Sequence, residues 1–140
     1  MFCIFSGLSI EAAEKAQPVL NAKGEQVVVA IDAGHQAKAD TGKEAIGPGS
    51  GQKKMKVTSG TQGVATKVAE SKLNLNIALK LEKELIKRGY KVYMVRRTQN
   101  VNISNKTRAL RVNKSKADIC IRIHADGSSS CSVKGASVLY

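Results

Sequence analysis

The sequence predicts an α/β fold, a mostly parallel twisted sheet with helices on both faces, incomplete at its C-terminal end. Three observations predict it. Strand-like and helix-like periods alternate along the chain. The first strand is apolar at nearly every position, as a strand covered on both faces must be. The only two histidines, His35 and His124, each stand at the end of a strand.

The first strand is Val27 to Asp32, in which Val27, Val28, Val29 and Ile31 are β-branched. It ends in Asp32-Ala33-Gly34-His35, where the glycine permits a sharp turn. Residues 36–69 show no clear period and are rich in Gly, Ser, Thr and Lys. They are expected to form one long loop, and loops of that length are usually functional. Within them, Gly47-Pro-Gly-Ser-Gly-Gln-Lys-Lys fails as a phosphate cradle. No strand leads into it, and no Gly-Lys-Ser/Thr follows.

Ser71 to Arg88 is the clearest helix, with Ser71 as its expected N-cap. Ile77, Ala78, Leu81 and Leu85 fall on one face, widened by Leu75, Leu79 and Ile86. Lys87 and Arg88 suit the last turn, and Gly89 suits the position after it. Tyr90 to Val95 reads as the second strand. Ser104 to Lys116 reads as a second helix capped by Ser104, with a thin apolar face of Ala109, Leu110 and Val112. Ala117 to His124 is the third strand, with Ile119, Ile121 and Ile123 on one side. After a polar loop over Gly127 to Lys134, Gly135 to Tyr140 is expected to begin a fourth strand. The connection is too short for a helical crossover, so antiparallel pairing is expected there.

The order β-α-β-α-β implies parallel strands joined by right-handed crossovers. The first and third strands then point the same way. As neighbours they would bring His35 and His124 together at the carboxyl edge, where open α/β sheets bind ligands. Glu70 stands just before the first helix, which starts at that same edge. Two histidines and one glutamate, with a fourth position left for water, form the catalytic zinc pattern. Asp32 is expected to orient one of the histidines by a hydrogen bond. The residues by themselves leave a zinc centre and a structural pair of histidines both open.

One chain of 140 residues is at most one domain. Aromatic residues are only 4% and Trp is absent, so the core must be aliphatic. The formal net charge is +12, and it is concentrated in the second half: residues 70–140 carry 15 basic and 5 acidic side chains. Such a field favours a polyanionic partner. A nucleic acid is not expected, because the chain lacks an aromatic stacking platform and any nucleic-acid motif. Three cysteines make no disulfide framework. Cys120, inside a strand, is expected to be a small buried hydrophobe, and a Cys120–Cys131 bridge has no support. No run is long enough to span a membrane as a helix. Residues 1–26 are expected to be a signal-peptide remnant, with an apolar stretch over Met1 to Ile10 and small residues after it, followed by a linker from Gln17 to Gln26.

Several runs together resemble one family. They are Val29-Ala30-Ile31-Asp32-Ala33-Gly34-His35; Glu70 followed by Leu73-Asn74-Leu75-Asn76-Ile77-Ala78; Gly89 to Arg96; Arg108 with Asn113; and Ala117 to Asp126. In order and spacing they resemble the zinc-dependent N-acetylmuramoyl-L-alanine amidases, cell-wall hydrolases of the type 3 amidase class. The resemblance covers about Val27 to Tyr140 and identifies residues 27–140 as the N-terminal part of such a catalytic domain. It implies that His35, Glu70 and His124 are the zinc ligands. The implied reaction, by zinc-activated water, is hydrolysis of the amide between N-acetylmuramic acid and the L-alanine of the stem peptide. It also implies a secreted protein acting on peptidoglycan, with anionic wall polymers as a further partner for the basic surface.

The departures from the family pattern are specific. Arg122 stands where the family has Ser, Asp126 where it has Asn, and residues 36–69 are longer than in compact members. The family's second catalytic Glu, the general base, has no counterpart here and is expected beyond Tyr140. The chain as it stands is therefore expected to be inactive or very weak. This keeps a second reading open, a non-catalytic zinc-containing domain that binds the cell wall.

Overall fold

The computed structural model describes residues 16–140. The expected signal remnant over Met1 to Ile10, with Cys3, lies outside the described residues. The elements in chain order are β1 (Val28–Ala33), β2 (Asp40–Ala45), β3 (Lys53–Val57), α1 (Glu70–Lys87), β4 (Lys91–Met94), α2 (Asn105–Ser115) and β5 (Ile119–Ile123).

The main sheet has the order β4-β1-β5, and both pairings are parallel. From β1 the chain steps to one side to make β4, then crosses back to the other side to make β5. That reversal is a topological switch point, and in open α/β sheets the crevice outside such a point is where ligands bind. Residues alternate faces along a strand. Val29, Ile31 and Ala33 of β1 pack with Leu75 and Ala78 of α1, while Asp32 on the opposite side meets Arg108 of α2. The two helices therefore cover opposite faces, as right-handed crossovers require when successive steps go in opposite directions. Burying a side chain such as Ile31, which is 0% exposed, stabilises the fold by roughly 1.5–3 kcal/mol.

Several expectations are corrected. Residues 36–69 are not a structureless loop. β2 and β3 pair antiparallel, with an irregularity between Asp40 and Lys43, and Gln62 bridges Ala69 just before α1. That bridge, with Glu70 N–H donating to Thr61 O, sets the start of α1. The helix begins at Glu70, and Ala69 is its N-cap without a side-chain hydrogen bond, so Ser71 does not cap it. At the other end Gly89 behaves as expected. It is left-handed at φ 86°, with Gly89 N–H bonded to Ile86 O and Tyr90 N–H to Leu85 O. Both bonds belong to the Schellman motif that closes helices.

The buried face of α1 also runs differently. Ser71, Asn74, Leu75, Ala78 and Glu82 are buried, and Ile77 and Ile86 are exposed. Glu82 is carried inward by an ion pair with Arg97. α2 is capped by Ser104, whose hydroxyl accepts from Thr107 N–H. Its inward anchor is Arg108 rather than Ala109, Leu110 and Val112; Leu110 is exposed. Because α2 packs on β1 and β3, the β5 surface that carries Cys120 lies uncovered. Cys120 is thus exposed, and it and Cys131 are free thiols. Gly135 to Tyr140 forms no strand and lies exposed, making no backbone hydrogen bond to β5. The segment read as a linker folds back: Leu20 bridges Gln26, and Val19 N–H donates to Gly89 O.

Candidate metal centre

β1 and β5 pair in register from Val29↔Ile119 to Ala33↔Ile123. Their continuations therefore leave the sheet side by side. Gly34 N–H still donates to Ile123 O at 2.9 Å. One residue further along each chain stand His35 and His124, with ring centroids 4.8 Å apart at an interplanar angle of 87°. Glu70, the first residue of α1, enters from the helix that begins at this edge. One ligand atom from each of His35, Glu70 and His124 lies within 4.8 Å of the others. The structure thus brings these three side chains together.

Glu70 is the buried member, its side chain 3% exposed against 12% for His35 and 36% for His124. The site is thus floored by the carboxylate and open on the histidine side. Glu70 Oε1 accepts from Ala125 N–H at 3.0 Å, Asn74 Nδ2 at 3.3 Å and His124 Nδ1 at 3.0 Å. Oε2 accepts from Thr61 N–H at 2.8 Å and from the Thr61 hydroxyl at 3.1 Å, and faces His35 Nε2 at 3.3 Å. Burial by itself would raise this carboxyl. The bonds from Ala125 N–H, Thr61 N–H, His124 and Asn74 outweigh it and hold Glu70 down at about 2. The N-terminus of α1 adds a dipole of the favourable sign.

His35 presents a different balance. Its Nδ1 lies 2.9 Å from Thr58 O, which can only accept, so Nδ1 carries the hydrogen in that contact. In a neutral ring Nε2 is then a bare lone pair, aimed at the carboxylate oxygen Oε2. Two lone pairs facing each other lack a positive charge between them. A divalent cation supplies one, so the donor set fits a metal on the chemistry of its own atoms.

Two glycines make room for this geometry. A Cβ on Gly34 would lie 2.6 Å from His124 Nε2, and one on Gly60 would lie 2.8 Å from Glu70 Oε2 and 2.9 Å from His35 Cδ2. Gly60 also sits at φ 80°, where glycine is favoured.

Asp32 does not orient a histidine. Its carboxylate is taken by Arg108 Nη1 at 2.6 Å and Arg122 Nη2 at 2.8 Å. Its side chain leaves β1 on the α2 face, where those two cations lie. Arg122, the residue that departs from the family's Ser, is opposite Asp32 in the β1–β5 register. Sequence reasoning missed Thr58, Gly60, Thr61 and Asn74 as parts of the site. Asn74 was findable, since it stands one helical turn after Glu70 on the same face. Nothing local in residues 58–61 announces their role.

Residues 29–140 match the model of a family described as N-acetylmuramoyl-L-alanine amidase. Comparison with curated proteins gives no match. Among solved structures, the apo form of an N-acetylmuramyl-L-alanine amidase from Mycobacterium abscessus aligns at TM-score 0.66 and 25% identity, over 73% of this chain and 49% of that one. The catalytic domain of an N-acetylmuramoyl-L-alanine amidase from Bacillus (Paenibacillus) polymyxa var. colistinus aligns at TM-score 0.58 and 29% identity, over 77% and 50%. An N-acetylmuramoyl-L-alanine amidase from Clostridium difficile 630 aligns at TM-score 0.56 and 28% identity, over 77% and 48%. The chain thus spans about half the length of the solved chains it resembles. With its parallel β4-β1-β5 sheet and a family match running from β1 to Tyr140, the chain belongs to the N-acetylmuramoyl-L-alanine amidase family.

Proposed function

We propose that His35, Glu70 and His124 hold one zinc ion, and that the site serves hydrolysis of the amide joining N-acetylmuramic acid to the L-alanine of the peptidoglycan stem peptide. The observation that carries the reading is the convergence of two histidines and one ionised, buried glutamate at the switch point of the sheet, in a chain of this family. Zinc bound by two histidines and a glutamate acts as a Lewis acid on a carbonyl oxygen and makes water a better nucleophile near neutral pH. The chain's own residues do the rest. Thr58 O fixes the hydrogen of His35 on Nδ1 and so directs Nε2 into the site. Ala125 N–H, Thr61 and Asn74 keep Glu70 ionised and oriented. The exposed side of His124 is where an extended substrate has access. A secreted protein working at the cell wall suits this substrate, and among the described residues no helix is long and apolar enough to cross a membrane.

The role left unfilled is that of a general base. Among the described residues, no second carboxylate hydrogen-bonds to His35, Glu70 or His124, and Asp32 is held between two arginines. A positioned base is worth roughly a hundred- to ten-thousand-fold in rate, so the 140-residue chain is expected to turn over slowly. The second reading is a zinc-containing domain that binds the wall without cutting it. The experiment is release of stem peptide from purified peptidoglycan by zinc-loaded wild type and by His124→Ala. Slow release that requires zinc and is lost in the variant supports the amidase. Zinc uptake and wall binding without metal-dependent release give the binding domain. A folded wild type that takes up no zinc refutes both.

A further inference from the structure

His35 is one of three non-glycine residues with positive φ among the described residues, at 59°. Such a backbone is uncommon outside glycine and needs support from its surroundings. The φ and ψ of a residue are fixed by the orientation of the two peptide planes that flank it. The plane before His35 contains Gly34 O, and the plane after it contains His35 O. Each of these oxygens is held by a buried guanidinium from elsewhere in the chain. Arg96 Nη2 donates to Gly34 O at 3.1 Å, and Arg108 Nη2 donates to His35 O at 2.8 Å.

The two arginines do more than touch the turn. Arg108 uses all five of its N–H donors: Nε to Ile103 O at 3.2 Å, Nη1 to Asp32 Oδ1 at 2.6 Å and Ala33 O at 2.9 Å, Nη2 to His35 O at 2.8 Å and Gln36 Oε1 at 3.4 Å. Arg96 donates from Nε to Ala33 O at 2.8 Å, from Nη2 also to Ser71 O at 2.8 Å, and from Nη1 to Thr98 O at 3.1 Å. Three consecutive carbonyls, those of Ala33, Gly34 and His35, are thereby bound by two cations that are 3% and 1% exposed. Burying two guanidiniums beside one carboxylate is unfavourable unless their hydrogen bonds are needed. Burial, with the Arg108 cation nearby, pulls Arg96 down to about 10 against the upward push of Asp32. Anchoring α2 on the sheet, as Arg108 does, does not by itself require bonds to three successive carbonyls. Fixing a strained turn does, because a guanidinium presents a rigid planar fork to several acceptors at once.

We propose that Arg96 and Arg108 are positioning residues of the metal centre, which hold the peptide planes on both sides of His35 and so set its imidazole before any ion arrives. The inference rests on the metal centre proposed above. Arg96→Lys and Arg108→Lys keep the charge and lose the fork. Each is expected to weaken zinc binding, read by chelator competition, about ten- to a hundredfold, as loss of groups that orient metal ligands does. The absorption spectrum of the cobalt-substituted protein shifts with it. Leu85→Ala, a partly buried site on the far turn of α1, lowers Tm yet leaves zinc affinity within about twofold, as a distant site should. Lysine variants that fold and bind zinc like wild type, with an unchanged cobalt spectrum, overturn the proposal.

If the lysine variants do not accumulate as folded protein, hydrogen exchange on zinc-free wild type decides. The amides of Gly34 and Ala37, bonded to Ile123 O and Gln99 O, then exchange as slowly as those in the middle of β1. Exchange as fast as that of the turn at residues 47–51, slowed only by zinc, overturns the proposal. Failure of wild type to take up zinc would count against the metal centre alone, since this measurement is made without metal.

Discussion

Replacing Glu70 by glutamine tests how the carboxylate is held. Both Glu70 oxygens accept from a backbone N–H, Oε1 from Ala125 and Oε2 from Thr61. Glutamine keeps one oxygen, so whichever way the amide turns, its NH2 faces a backbone N–H. One buried donor then lacks a partner, which costs about 1–3 kcal/mol, and the bonds that remain lose their charge assistance. A separate route gives a similar figure. A carboxyl held at about 2 instead of the ordinary 4.5 is favoured in its ionised form by about 3 kcal/mol. The folded value is the depressed one. The stability it contributes is therefore fully present above about pH 4.5 and is lost as pH falls toward 2. Urea unfolding with a chelator present, at pH 7, 5 and 3, should show Glu70→Gln less stable by about 3 kcal/mol at pH 7. The gap between variant and wild type should narrow at pH 3. A variant as stable as wild type, or a gap that does not change with pH, refutes the argument.

Four further outcomes are expected. Wild type binds about one zinc per chain, as a three-ligand site does, and the His35→Ala, His124→Ala double variant binds none; elemental analysis after dialysis reads both. Gly34→Ala forces a Cβ against the His124 ring and should cost roughly 1–3 kcal/mol, whereas Gly47→Ala, with open space around it, should leave Tm within error. Ile31→Ala should destabilise by about 2–5 kcal/mol in urea, while Ile77→Ala, at an exposed position, should change stability by no more than about 0.5 kcal/mol. Arg97→Ala leaves the Glu82 carboxylate buried without its partner and should cost about 1–3 kcal/mol by the same assay.

What could be read from sequence depended on whether a residue's neighbours in space were also patterned along the chain. β1 and the direction it shares with β5 were legible, because a strand covered on both faces must be largely apolar and parallel order follows from the helices between; that the two strands are neighbours was only a condition of the reading, which the structure meets. His35 and His124 followed from that, since a common strand direction places both strand ends at one edge. Glu70 followed because the helix after a strand begins there. The hairpin β2–β3 was not legible. Its strands, Asp40–Ala45 and Lys53–Val57, are mostly polar and only Val57 is buried, so no apolar face repeats every second residue. Arg108 was invisible as a core residue for a related reason. Helix periodicity is read from apolar side chains, and here the inward position holds a cation whose acceptors are mostly carbonyls of another segment. Asp32 was assigned the wrong partner because nothing in its own strand tells which cation will approach its face.

The metal donors are scattered along the chain in a way that bears on how the protein folds. Glu70 and His124 are 54 residues apart, and His124 follows β5, the last strand among the described residues. Neither β1 with its turn nor the β1-α1-β4 unit carries a complete set of donors. Contacts between such distant residues form only after the loop between them has been closed, and they slow folding. A half-built chain therefore offers a single histidine and a glutamate, too few to capture zinc firmly. Only docking of β5 brings the three donors together, so an ion held by the proposed centre would bind after β5 has joined β1 and would stabilise that pairing by mass action. Zinc added during refolding should accordingly leave the folding rate nearly unchanged and slow unfolding instead.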